Sequence, residues 1–175
     1  MLKKLGLLLV ALGLALGGLL LTSAESRFVT ESSLLLPYPA AVVWARLTAV
    51  GDWPRWWPGV EGASLAPGWQ PGAELGMTLK GDPEQAPAVV VEVRPETALC
   101  WQRPGVLGSQ TRTSILLQAL ETQTQVLLRS EIVGPQAVLA RWTAREDFAR
   151  YQELVLAKLS DALQQGSIGP QQAQP

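Results

Sequence analysis

Asp52-Trp53-Pro54-Arg55-Trp56-Trp57-Pro58-Gly59-Val60 carries three of the chain's seven tryptophans. Each indole that is buried removes roughly 150–250 Å² from water. Pro54 and Pro58, with Gly59 after the second, stop the stretch from continuing as an ordinary helix or strand. The segment predicts a compact, stiff aromatic corner, and the elements on either side of it decide the fold.

Before the corner, Phe28 to Leu36 is a predicted strand ended by Pro37-Tyr38-Pro39. Ala40 to Val50 puts Val43, Leu47 and Val50 on one helical face with Trp44 beside them, and Gly51-Asp52 closes that helix. After the corner the apolar period is two. Leu75, Met77 and Leu79 alternate with polar or small residues, and Val89, Val91 and Val93 alternate with Val90, Glu92 and Arg94. Leu99 and Trp101 follow a Pro95-Glu96-Thr97 turn. Thr113, Ile115, Leu117 and Ala119 then share one face of a strand, as do Val126, Leu128, Ser130 and Ile132. Short polar links between these runs predict an antiparallel meander.

Beyond Gly134-Pro135 the period becomes helical. Phe148, Tyr151, Val155, Leu159 and Ala162 form an apolar stripe with Leu163 at its edge, and Glu146, Asp147, Arg150, Glu153 and Asp161 lie off it. One strand, a short helical region, about six more strands and a long terminal helix make an α+β plan. A flat sheet would leave one apolar face in water, so the sheet is expected to curl around the terminal helix.

The start of the chain has a different chemistry. Lys3 and Lys4 precede an apolar run from Leu5 to Leu21, and Thr22-Ser23-Ala24 leads into Glu25. The run is long enough for a membrane anchor, and Thr22 and Ala24 also suit a signal cleavage site. Both readings keep the lysines cytoplasmic and export everything after Glu25. The organisation expected is therefore a signal-anchor or signal peptide over 1–24, a domain over 25–165 and a frayed tail over 166–175. Gly13 and Gly17 have a helix-pairing spacing that a segment so rich in Leu, Gly and Ala produces by chance.

Composition removes several function classes. The formal charge is −1, with 14 basic and 15 acidic residues and no basic tract, so nucleic acid is not an expected partner. With no histidine and one cysteine, a structural zinc site, a histidine-dependent triad and an internal disulfide are all excluded. Cys100, in Ala98-Leu99-Cys100-Trp101, reads as an inert strand residue. No metal or cofactor is called for.

The ordered set of motifs resembles the START-like or SRPBCC superfamily, which includes the polyketide cyclase/dehydrase and Bet v 1-like groups. Leu34-Leu35-Leu36-Pro37-Tyr38-Pro39-Ala40-Ala41-Val42-Val43-Trp44 is similar to that family's first strand, proline turn and "V-W" helix. Gly51 to Val60 is similar to its "D-x-x-x-W-x-P-x-V" segment, and Gly72 to Leu79 to the strand after it. The resemblance spans Phe28 to Leu163 and includes membrane-tethered versions. It implies a helix-grip, a curved antiparallel sheet of about 6–7 strands wrapped around a long C-terminal helix, with an apolar cavity between them. Relatives mostly hold lipids, sterols, polyketides or other hydrophobic molecules, and some are enzymes, so function rests on the site.

The residues expected to line that cavity are Trp56, Trp57, Met77, Val91, Trp101, Ile115, Leu117, Leu128, Phe148, Tyr151 and Val155, with Val89, Val93, Val126, Ile132 and Leu159 also facing inward. The same residues would serve equally as a solid core. Trp56 and Trp57 either cover the cavity mouth or seal the junction of helix and sheet, with Arg55 stacking on a ring, or they settle at a membrane interface. Glu92, Arg94, Arg129 and Glu131 fall on the outer face. Three functions follow as expectations. The first is a non-enzymatic binder of a hydrophobic small molecule or lipid on the extracytoplasmic side of the membrane. The second is a polyketide cyclase/dehydratase-like enzyme, which needs a polar group such as Tyr151, Ser130 or Arg103 inside the cavity. The third is a structural or interaction module with no ligand.

Overall fold

The computed structural model describes Gly18, residues 24–82 and residues 86–167. Apart from Gly18 and Ala24 the apolar leader lies outside these residues, as does the end of the tail, and among the described residues no helix is long and apolar enough to cross a membrane.

The elements follow in the order β1 (Arg27–Leu36), α1 (Ala40–Thr48), a 3₁₀ turn (Val50–Asp52), α2 (Trp53–Trp56), β2 (Val60–Ala66), β3 (Glu74–Leu79), β4 (Ala88–Arg94), β5 (Ala98–Pro104), a 3₁₀ turn (Val106–Gly108), β6 (Gln110–Leu120), β7 (Gln123–Val133), α3 (Pro135–Thr143) and α4 (Arg145–Ser167). The strands form one seven-stranded antiparallel sheet in the order β1-β7-β6-β5-β4-β3-β2. Strands β3 to β7 are the expected meander, and β2, which no alternating run marks in the sequence, extends it. Strand β1 closes on β7, so the helical corner carries the chain from one sheet edge to the other. This is the helix-grip α+β fold.

The corner is built from its prolines. Pro54 sits in the first turn of α2, where its missing N–H leaves no helical bond unmade. The Trp57 N–H donates to the Trp53 carbonyl at 2.7 Å, and Gly59, at φ 77°, turns the chain into β2. Trp53 is fully buried, its ring centroid 4.7 Å from that of Trp57 and 5.8 Å from that of Trp101, and its indole donates to the Leu47 carbonyl at 2.9 Å. Trp69 joins the group and donates to the Thr48 carbonyl at 2.9 Å. Arg55 does not stack on a ring. It pairs with Asp52 at 2.9 Å, since the short helix turns position 55 to solvent.

Two expectations about faces are corrected. In β4, Val90 pairs with Trp101 and Glu92 with Cys100, so Val91 is an extra residue in a bulge. The bulge shifts the phase of the strand. Ala88 and Val90 are buried, Val89 is exposed, and only Val93 regains the inner face. In α4 the buried positions are Gln152, Val155, Leu156, Leu159, Ala162 and Leu163, whereas Tyr151 lies at the margin of the stripe. The helix also runs on through Ser167, past the expected start of the tail, and the Arg46 guanidinium donates to the Ala162 carbonyl at 3.3 Å.

The main core joins the tryptophan corner to Leu36, Leu47, Leu75, Leu99, Ile115, Leu117 and Val126 of the sheet and its approaches, and to Val155 and Leu159 of α4. A second cluster, Phe28, Ile132, Ala137 and Ala140 with Phe148, seats α3. The outer face carries ion pairs, Glu92 with Arg94 at 2.8 Å and Arg129 with Glu31 at 2.7 Å, and Glu131 with Arg27 at 3.2 Å. Exposed pairs like these contribute little to stability.

Candidate ligand cavity

Along β5, residues two apart point the same way, so Leu99, Trp101 and Arg103 share the inner face. The same row on β6 runs Leu117, Ile115, Thr113, Thr111, and on β7 it runs Val126, Leu128, Ser130. On β5 and β6 the inner row thus passes from apolar to polar along one direction, and on β7 Ser130 stands between Leu128 and the buried Ile132. At the polar end the space between the sheet and the first turns of α4 is not filled. It forms a cavity of about 750 Å³, within the ~300–1,000 Å³ of small-molecule sites. Val60, Met77, Leu79, Trp57, Trp101, Leu128 and Phe148 supply its apolar wall, and Arg103, Thr111, Thr113, Ser130, Gln136, Tyr151 and Gln152 supply polar atoms.

The cavity opens at the same end. Asp82, Ala86, Pro104, Val106 and Tyr151 line it and are exposed. Among the described residues β3 and β4 pair at Glu74–Val89 and Leu75–Ala88.

Three polar groups give the cavity its chemistry. Gln152 is buried, its amide nitrogen donating to the Thr30 carbonyl at 3.2 Å and to Ser130 Oγ at 3.1 Å, while its oxygen accepts from Ser32 Oγ at 3.4 Å. Tyr151 accepts a hydrogen bond from the Trp57 indole at 3.0 Å and donates its own proton to the Pro58 carbonyl at 3.1 Å. Burial pushes this phenol above its ordinary pKa, with the Trp57 bond opposing. It therefore stays protonated and holds the corner against α4. The third is Arg103. Burial lowers its pKa from the ordinary guanidinium value, with the Asp82 carboxylate acting against that shift. Its Nε and Nη2 are buried without hydrogen-bond partners, as is Oε1 of Gln136 on the same wall. Nε and Nη2 form the edge of the guanidinium that can take two oxygens of one group.

Of the expected lining residues, Trp57, Met77, Trp101, Leu128, Phe148 and Tyr151 come together around this space. Trp56, Ile115, Leu117 and Val155 lie in the solid core instead, and Val91 sits in the β4 bulge. Ser130, Arg103 and Tyr151, the polar candidates, all face the cavity. Gln152 escaped notice because a glutamine between Tyr151 and Glu153 reads as a solvated helix position. Thr113 shares its predicted face with Ile115 and Leu117, and Thr111 extends that alternation by one step that the sequence does not single out. Cys100 is buried on the opposite face, receiving hydrogen bonds from Arg112 at 2.9 Å and Ser114 at 3.2 Å. Among the described residues no three His, Cys, Asp or Glu side chains converge as metal ligands would.

A curved sheet gripping a helix over a part-polar cavity can be compared with known families. The profile of the family described as polyketide cyclase / dehydrase and lipid transport matches residues 27–164. The chain belongs to this family. Similar solved structures include the Zhui aromatase/cyclase from Streptomyces sp. R1128, with a TM-score of 0.64 at 14% identity over 82% of this chain and 97% of that one. A protein of Nitrosomonas europaea has a TM-score of 0.63 at 21% identity over 79% and 96% of the two chains. A point mutant of norcoclaurine synthase from Thalictrum flavum, in complex with a transition-state analogue, has a TM-score of 0.60 at 16% identity over 81% and 96%. These likenesses establish the fold. No curated protein matches this chain.

Proposed function

We propose that the protein binds a hydrophobic small molecule or lipid in the cavity between the sheet and α4. The observation that carries this reading is the cavity itself, about 750 Å³ with an apolar wall and an open end. The unpartnered Nε and Nη2 of Arg103 add a requirement, since buried donors left unpaired cost more than the bonds they could make. A ligand with a carbonyl or carboxyl oxygen near one end satisfies it after a small turn of the side chain. The basic start and apolar run of the leader support a place on the extracytoplasmic side of the membrane.

A second reading, a cyclase- or dehydratase-like enzyme, is favoured by the polar atoms of Arg103, Ser130 and Tyr151 inside the cavity. The aromatase/cyclase and norcoclaurine synthase structures show that the fold accommodates such proteins. With the Tyr151 hydroxyl engaged in a hydrogen bond to the Pro58 carbonyl, acid–base work would fall to Asp82 at the entrance.

The test is native mass spectrometry of the full chain, delipidated and then soaked with membrane extract. We expect one retained small molecule, lost when Leu128→Trp fills the cavity and loosened by Arg103→Met, whose loss of an ill-matched buried cation leaves the melting temperature level or higher. Absence of any retained molecule overturns the proposal. A retained molecule that loses water on standing replaces it with the enzyme reading.

A further inference from the structure

The end of the sheet that holds the cavity entrance is also the end from which the leader departs. β1 begins there at Arg27, the Gly134 N–H donates to the Ser26 carbonyl at 2.9 Å, and the β5–β6 turn and α3 complete that end. A cleft of about 320 Å³ places Ala24 beside Leu107, Gly108 and Pro135. The sequence just before Ala24 is the apolar run of residues 5–21.

This end carries large apolar side chains in water. Trp142 is 84% exposed, Leu107 69%, Val106 64% and Leu139 63%. Leu139 and Trp142, three residues apart, share the outward face of α3, while Ala137 and Ala140 are buried on the other. Gln136, one turn before Leu139, donates its N–H to Ser109 Oγ at 2.9 Å, so the Val106–Gly108 turn is held against the start of the same helix. Leu107 has φ 55° and ψ 33°, a left-handed conformation that leucine rarely adopts, and its side chain is nonetheless held out in solvent. Isolated exposed leucines need no explanation, but a group that includes a nearly bare tryptophan does.

We propose that Val106, Leu107, Leu139 and Trp142 seat this end of the domain on a lipid bilayer, with the cavity entrance turned toward the lipid. The leader brings Ala24 to the surface, and the tip beside it dips into the headgroup region, where tryptophan is favoured. Charge at the rim is nearly balanced. Arg27 is paired with Glu131, Arg141 donates to the Arg27 carbonyl at 2.7 Å, Arg145 lies over the Phe28 ring, and Glu25 stands exposed nearby. The contact is therefore apolar and needs no anionic lipid. Val106 both lines the cavity and belongs to the tip, so a hydrophobic molecule can pass between bilayer and cavity without crossing open water.

The test reads depth at two sites of the full chain reconstituted in phosphatidylcholine vesicles that contain a spin-labelled lipid quencher. An environment-sensitive dye is attached through Leu139→Cys or, as a control, Glu121→Cys, Cys100 being buried and out of reach of the label. Glu121 lies in the turn at the far end of β6, whose 11 residues span roughly 35 Å. We expect loss of dye emission at 139, none at 121, and no dependence on added anionic lipid. Replacing Leu107 and Trp142 by serine should abolish the loss at 139 with an unchanged melting temperature. Equal quenching at both sites, quenching at neither, or a dye shift that follows protein density rather than quencher overturns the proposal, the last in favour of a second copy as the partner. The readout does not depend on what the cavity holds.

Discussion

One sheet and one helix enclose both a solid half and a hollow half. In the solid half Leu99, Ile115, Leu117 and Val126 join Val155 and Leu159 of α4 and Trp53 of the corner in one core. In the hollow half Arg103, Thr111 and Thr113 face Phe148 and Tyr151 across empty space, and Gln152 reaches Ser130 at 3.1 Å along the wall. Backbone and period are the same in both, so only the side chains differ. The apolar half gains about 25 cal/mol for each Å² taken from water and fills its volume. The polar half gives up that gain and keeps buried donors whose partners are incomplete. Trp57 stands at the border, its ring stacked toward Trp53 and Trp56 on one side and lining the cavity on the other.

The sharpest way to break this contrast is Trp53→Ala. The indole is completely buried and satisfied by the Leu47 carbonyl. Its removal should cost about 3–5 kcal/mol, seen as a lower midpoint in urea unfolding. A loss no larger than that of variants in the hollow half would show that the corner is not where stability resides.

Gln152→Leu probes the hollow half with a side chain of similar volume. It deletes bonds to the Thr30 carbonyl and to Ser130, and leaves Ser32 without its acceptor. The expected cost is about 1–3 kcal/mol, smaller than at Trp53, and any retained polar ligand should be released. Unchanged stability with unchanged ligand retention would mean that the glutamine is an incidental passenger under the sheet.

How far the two halves were legible in the sequence follows from what makes each regular. The order of elements, the proline turn, the corner and the gripping helix all come from period and punctuation, and these are local. The expected lining residues divided between the two halves because alternation says only which way a side chain points. It is silent on whether α4 reaches that side chain. Ile115 and Leu128 are equivalent by pattern and both are packed in the core, yet only Leu128 also borders the cavity. Val91 was misplaced for a different reason. A bulge adds one residue without changing composition, and nothing in a run of three valines marks it. Strand β2 reads Val-Glu-Gly-Ala-Ser-Leu-Ala, too weakly alternating to stand out, and forms because β3 pairs with it. Gln152 needed the tertiary structure altogether, since its partners are 20 or more residues away.

The smallest expected effect lies on the border itself. Tyr151 joins the corner to α4 by accepting from Trp57 and donating to Pro58. Tyr151→Phe keeps the ring and loses both bonds, at about 1 kcal/mol, because the residue is 42% exposed and water can replace part of what is lost. Its pH dependence is more telling than its size. Burial raises the folded pKa of this phenol above the unfolded value, so the folded state holds the proton more tightly. The stabilising contribution is complete below about pH 10, the ordinary tyrosine value, and is lost as pH rises through the higher folded value. Chemical unfolding across that range should show the wild-type protein losing its advantage over Tyr151→Phe as the solution becomes alkaline. Parallel stability curves would place the hydroxyl in water, and the cavity would then lack its hinge to the tryptophan corner.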